Sequence, residues 1–240
     1  MKHGEYEAPV LDRLQGGLIV SCQAMYSDSP TNSPAVLCAM AAAACRGGAC
    51  GIRANRPENI RAVRSAVAVP LIGLFKDSMP GHDVYITPTF EHARLVAEAG
   101  ADIVALDGTA RPHPGELDMA TVVRRIHEDL GKLVMLDIST YEEGLEAEGL
   151  GADIVSTTLA GYTAYSRQFD GPDLDLVVRL SAACRIPVVA EGRFEHPDQV
   201  RVAMQAGAFA VVVGRAITDP EHITASYVEA ANTWKARAVK

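Results

Sequence analysis

Ala99-Gly100-Ala101-Asp102-Ile103-Val104 returns further along the chain as Leu150-Gly151-Ala152-Asp153-Ile154-Val155, and Gln205-Ala206-Gly207-Ala208 introduces a later apolar run in a similar way. Each copy ends a helix and opens a strand. Outward from these echoes, eight short apolar runs recur: Gly17-Gln23, Ala49-Ala54, Pro70-Lys76, Asp102-Asp107, Leu133-Ser139, Asp153-Thr158, Pro187-Gly192 and Ala210-Arg215. Most are unbroken Val, Ile, Leu and Ala without polar alternation, the pattern of strands covered on both faces. Helix signals lie between them. Ser33-Pro34 precedes Ala35-Cys45 with Gly47 and Gly48 behind it, and Asn55-Arg56-Pro57-Glu58 repeats that start. Thr140-Tyr141-Glu142-Glu143 has capping-box spacing, and Pro197 leads Val200, Ala203 and Met204 to a stop at Gly207.

Eight strand–helix units in 240 residues predict an α/β fold, a single (β/α)8 TIM barrel spanning 1–240, with 1–16 as an N-terminal extension or a helix capping the barrel. An open doubly wound sheet would usually carry GxGxxG after its first strand, and none follows here.

Bulk properties exclude several classes. With 48% apolar and 22% charged residues the composition is globular, and no apolar stretch approaches the roughly 18 residues of a membrane span. Met1-Lys2-His3-Gly4-Glu5 leads into no signal-peptide core, so a cytoplasmic location is expected. A formal charge of −8 speaks against nucleic acid as a partner, so an anionic ligand must meet a local site. The five cysteines form no CxxC pair and read as inert thiols. Neither HExxH nor a histidine cluster is present; Asp107 and Asp137 offer at most a loose Mg²⁺ site, and no metal is expected. A symmetric homodimer is the general expectation for a globular chain of this size.

Barrel chemistry sits at C-terminal strand ends, here Gln23, Arg53, Lys76, Asp107, Asp137, Thr157, Glu191 and Arg215. Lys76 emerges from Leu71-Ile72-Gly73-Leu74-Phe75, where burial and Arg53 would lower its pKa and free a neutral amine to act as base. A solvated loop, Lys76-Asp77-Ser78, is the competing reading. Glu191 closes the seventh run, across the ring from the third, so base and acid would face a substrate from opposite sides, as inversion of a stereocentre requires; pairing with Arg193 is the alternative. Asp107 or Asp137 would pair with a cation such as Arg53. Ser21 and Ser139 lack a suitably placed His for a hydrolase triad. Gly192-Arg193 and Gly214-Arg215, after runs seven and eight, suit a phosphate held by backbone N–H groups.

Together with Gly17-Leu18-Ile19-Val20-Ser21-Cys22-Gln23, Gly51-Ile52-Arg53-Ala54, Gly73-Leu74-Phe75-Lys76 and Tyr85-Ile86-Thr87-Pro88-Thr89, the motifs Ala105-Leu106-Asp107-Gly108-Thr109, Leu136-Asp137-Ile138-Ser139-Thr140, Ala190-Glu191-Gly192-Arg193 and Val213-Gly214-Arg215-Ala216-Ile217-Thr218 run almost end to end. In this order and spacing the chain resembles the N-acylglucosamine-6-phosphate 2-epimerase family of amino-sugar and sialic acid catabolism. The resemblance implies interconversion of N-acetylmannosamine 6-phosphate and N-acetylglucosamine 6-phosphate, with no organic cofactor or required metal. It implies Lys76 and Glu191 as catalytic residues, Gln23, Arg53 and Asp137 as substrate-binding positions, and the glycines of Gly192-Arg193 and Gly214-Arg215 as a phosphate cradle. Two positions depart from the family. Asp219 stands where members carry Arg, while Arg215 comes earlier; Gly108 replaces Ala, a change expected to matter little. A Schiff-base lysine enzyme acting on another phosphosugar and a non-catalytic phosphosugar sensor are the alternative functions.

Overall fold

The structure is a computed structural model and describes residues 3–24, 26 and 28–238, with side chains from 9 to 234 among them. Its strands are β1 Leu18–Cys22, β2 Gly51–Asn55, β3 Leu71–Leu74, β4 Ile103–Asp107, β5 Leu133–Asp137, β6 Ile154–Ser156, β7 Val188–Glu191 and β8 Ala210–Val213. All pair in parallel with their sequence neighbours, and β1 pairs with β8, so the sheet closes into the expected (β/α)8 barrel. The helices are α1 His3–Leu14, α2 Pro34–Arg46, α3 Pro57–Ala66, α4 Phe90–Glu98, α5 Met119–Leu130, α6 Tyr141–Gly149, α7 Leu174–Ala183, α8 Pro197–Gln205, α9 Arg215–Thr218 and α10 Pro220–Ala238. Among the described residues no helix is long and apolar enough to cross a membrane.

Parallel pairing buries both faces of each strand, which is why the runs do not alternate in polarity. Alternate residues nevertheless go to different cores. Ile19, Ile72, Ile103, Leu133, Met135, Val189 and Val212 fill the interior. Val20, Ile52, Val104, Val134, Leu136 and Val155 pack outward against the helices. α1 closes the base: Leu14 joins the interior cluster, and Gly51 makes room for it, since a Cβ there would stand 2.6 Å from Leu14 Cδ2. All five cysteines are free, and burial pushes the Cys22 thiol up to about 12, removing it as a nucleophile.

The helix starts follow the sequence with one exception. Ser33 caps α2, and Thr140 with Glu143 forms the capping box of α6. Asn55 does not cap α3. Arg56 occupies that position with φ 75° and no side-chain bond, because Asn55 is the last residue of β2 and its Oδ1 accepts from the Lys76 N–H at 2.8 Å.

Candidate active site

At the C-terminal mouth of the barrel a cavity of about 390 Å³ gathers Gln23, Arg53, Lys76, Glu191, Gly192, Arg193, Gly214 and Arg215, all nominated from sequence. Asp137 lies just beneath, fully buried and tied to Arg53.

Arg53 organises the floor. Its side chain is 1% exposed, a position tolerated only with full charge pairing. Nη2 donates to Asp137 Oδ2 at 2.5 Å; Nη1 donates to Asp137 Oδ1 at 3.0 Å and to Glu191 Oε2 at 2.6 Å. Thr158 Oγ1 adds a donor to Asp137 Oδ1 at 2.7 Å. Burial alone would lower the pKa of Arg53, but the charges of Asp137 and Glu191 raise it, so this cation is permanent. Glu191 is therefore held by Arg53, while the Arg193 guanidinium donates to the carbonyls of Ala160 and Gly161, each at 2.8 Å, and stacks on Tyr162.

Lys76 stands two residues past the end of β3 rather than at the strand end itself. The chain folds back there, and Lys76 bridges Ile86 in antiparallel fashion. Burial, reinforced by the charge of Arg53, pushes the Lys76 ammonium below the ordinary lysine value, which favours a neutral amine. Burial pushes the Glu191 carboxyl upward despite the opposing charge of Arg53. A half-buried amine and a half-buried carboxyl thus border one cavity, each displaced toward its neutral form.

Two polar atoms on the same floor have no partner among the described residues: Gln23 Oε1 and Arg53 Nε. Gln23 Nε2 donates to Ser21 Oγ at 2.8 Å, which fixes the amide. At the rim Arg215, 41% exposed, lies 3.9 Å from Glu195, whose other oxygen meets His222 at 2.8 Å.

Asp107 and Asp137 are register partners on β4 and β5, but different arginines take them. Asp107 accepts from Arg111 Nη2 at 2.5 Å and from Thr109 Oγ1 at 2.6 Å. Among the described residues no group of three His, Cys, Asp or Glu side chains is arranged to hold a metal ion. Next to Asp107, Gly108 is not a neutral exchange for Ala in this chain: a Cβ would lie 2.8 Å from Leu136 Cβ, so the neighbouring strand would have to shift. Ser139 donates to Glu143, not to a histidine. Thr157 spends its hydroxyl on the Glu191 backbone; its neighbour Thr158 supplies the side chain at the cavity. Thr158, Tyr85 and Tyr162 are cavity residues that sequence reasoning missed, and only the Tyr85-Ile86-Thr87-Pro88-Thr89 motif hinted at one of them. In the polar loop 26–32 after β1, which its sequence marks as a lid candidate, residue 27 lies outside the described residues, and Ser29 Oγ donates to Glu221 Oε1 at 2.7 Å.

Known proteins match this chain over most of its length. Residues 37–233 match the family model NanE, described as "Putative N-acetylmannosamine-6-phosphate epimerase". A protein of Caldanaerobacter subterraneus subsp. tengcongensis named "Putative N-acetylmannosamine-6-phosphate 2-epimerase" is 50% identical over 220 residues, covering 91% of this chain and 92% of its own. The solved N-acetylmannosamine-6-phosphate 2-epimerase from Clostridium perfringens superposes with a TM-score of 0.88 at 42% identity, covering 91% of this chain and 95% of that one. Thiamine phosphate pyrophosphorylase from Pyrococcus furiosus shares the fold at a TM-score of 0.60 and 18% identity, covering 88% of this chain and 90% of that one. With the family model and a half-identical relative both spanning most of its length, this chain belongs to the N-acetylmannosamine-6-phosphate epimerase (NanE) family.

Proposed function

We infer that this chain is an N-acetylmannosamine-6-phosphate 2-epimerase, interconverting that sugar phosphate and N-acetylglucosamine 6-phosphate by removing and returning the proton at C2. The observation that carries the mechanism is the convergence of Lys76, Glu191 and Arg53 on one cavity, with the amine and the carboxyl both shifted toward their neutral forms.

Lys76, as the neutral amine, takes the C2 proton of the open-chain sugar. The electron pair of the C–H bond moves into the C1 carbonyl, giving an enolate. Arg53 offsets the developing charge from a water-poor floor, where a fixed cation acts most strongly. Glu191, as the acid, delivers a proton to the opposite face of C2. Exchange with solvent then returns Lys76 and Glu191 to their starting forms. Gln23 Oε1 accepts a hydrogen bond from the sugar, Asp137 holds Arg53 in register, and the backbones of Gly192-Arg193 and Gly214-Arg215 receive the phosphate with Arg215 beside them. Arg193 contributes through its main chain, since its guanidinium is committed to carbonyls. No metal or organic cofactor is needed in this scheme.

The whole of 1–240 works as one domain, α1 closing its base. The substrate, a charged ester retained behind a bilayer, fits a cytoplasmic enzyme. It works as a homodimer: along α10, Tyr227, Val228 and Trp234 are 75%, 51% and 70% exposed, an apolar surface for a second copy to cover. The direct test is Lys76→Ala assayed on N-acetylmannosamine 6-phosphate. A positioned base contributes about 10²–10⁴-fold, so turnover is expected to fall at least that far with the fold and phosphosugar binding retained; near-normal turnover would remove Lys76 from the reaction.

A further inference from the structure

The segment that follows Lys76 turns at Pro80–Gly81 and returns to the barrel on a strained residue. Thr87 has φ 48°, a left-handed conformation that a β-branched residue rarely adopts, and it is completely buried. Four hydrogen bonds hold it and its neighbour there. Thr87 N donates to Phe75 O at 2.9 Å, Phe75 N donates to Thr87 Oγ1 at 3.0 Å, and Thr87 Oγ1 donates to Ala105 O at 2.6 Å. Ile86 O, one residue earlier, accepts from Asp107 N at 2.9 Å. Residues 85–87 are thus wedged between the ends of β3 and β4, whose direct pairing stops at Gly73 and Val104. The antiparallel bridge between Lys76 and Ile86 and the bond from Asp77 N to Tyr85 O at 2.9 Å fold the wedge against the lysine. Phe75, clamped on both backbone groups by Thr87, is the residue immediately before Lys76. On the other side Asn55 holds the Lys76 N–H.

We propose that Thr87 is the positioning residue for Lys76: its hydroxyl, bonded to both Phe75 and Ala105, sets the backbone from which the lysine reaches the cavity. A strained, buried residue persists only where its surroundings over-determine it, and here each of its bonds ends on β4 or on the residue that carries Lys76. The same wedge brings Tyr85 to the cavity wall. This inference rests on the reading of Lys76 as the base.

The experiment compares Thr87→Ala, Thr87→Ser and Lys76→Ala in the full-length protein, with kcat, KM and the pH profile measured on N-acetylmannosamine 6-phosphate. A displacement of about 1 Å at a reacting group costs on the order of 10²-fold. Thr87→Ala is expected to lose ~10–100-fold in kcat, with KM close to that of the native enzyme. Its pH limb should move toward ordinary lysine values as Lys76 leaves its buried position. Thr87→Ser keeps the hydroxyl and should restore both kcat and the limb. If Thr87→Ala does not fold, Thr87→Gly, which accepts the positive φ while lacking the hydroxyl, takes its place with the same expectation. Native kcat and an unmoved limb in the variant without the hydroxyl would overturn the inference, as would a Thr87→Ser enzyme as impaired as Thr87→Ala. Lys76→Ala separates the two layers: inactive beside an unimpaired Thr87→Ala, it overturns the positioning role alone; fully active, it overturns the base and the positioning role together.

Discussion

Asp107 and Asp137 sit side by side on β4 and β5, both fully buried and both bound by an arginine at 2.5 Å, yet they do different work. The difference lies in what else each arginine touches. Arg111 spends its remaining donors on Thr109 Oγ1 and Asp83 O, tying the β4 loop to the segment that leads back to Tyr85. That pair is closed. Arg53 extends from Asp137 to Glu191 and lines the cavity, so its charge acts on both Lys76 and Glu191. A buried carboxylate–arginine pair is thus no sign of chemistry; a buried arginine shared between two carboxylates at the wall of a cavity is a far stronger one.

The comparison breaks most sharply at the arginines themselves. Arg53→Met leaves Asp137 with Thr158 as its remaining side-chain donor and removes the charge that the proposed mechanism sets against the intermediate. Breaking a buried pair from one side costs about 3–5 kcal/mol, and loss of a stabilising charge costs about 10²–10³-fold in kcat; denaturant melts and steady-state kinetics check the two losses together. Arg111→Met should lower stability by a comparable amount, Thr109 still donating to Asp107 as Thr158 does to Asp137, while kcat stays within about tenfold. Equal losses of kcat in the two variants would erase the distinction.

A smaller effect sharpens it. The proposed reaction needs neutral Lys76 and protonated Glu191, so kcat/KM should follow a bell in pH, its lysine limb set by the lowered lysine pKa, below the ordinary value of about 10.4, and its other limb by the raised Glu191 pKa. Arg53 contributes to the lysine lowering, so Arg53→Gln should move the lysine limb upward, whereas Arg111→Gln should leave it in place. A limb that follows Arg111 and ignores Arg53 would mean that the wrong pair has been assigned to the cavity.

Most of the architecture was legible because parallel barrel strands declare themselves as apolar runs, and helices between them carry their own stops and caps. The strand-end residues followed in part from that register: Asp137 and Glu191 close β5 and β7 as counted, while Arg53 is the third of the five residues of β2, which runs on to Asn55. What escaped was made by loops. Thr157 and Thr158 are indistinguishable by type, and the turn of 3-10 helix after β6, Thr157–Leu159, decides which one faces inward. The fold-back of 76–87 has no apolar period of its own, since its order comes from Thr87 bonding to β4 and to Phe75. Asn55 looked like a helix cap, but its side chain serves the lysine loop instead. Arg193 looked like a phosphate ligand because a Gly-Arg pair follows both the seventh and the eighth run; two carbonyls and the Tyr162 ring claim its guanidinium.

The central claim is that the chain inverts C2 through a proton exchanged with solvent. A proton NMR time course of N-acetylmannosamine 6-phosphate with the purified protein in D2O containing EDTA tests it most directly. The account predicts conversion to N-acetylglucosamine 6-phosphate with deuterium entering at C2. No conversion, with the sugar phosphate still binding, would contradict the epimerase reading, and conversion that keeps the original hydrogen at C2 would contradict the roles given to Lys76 and Glu191.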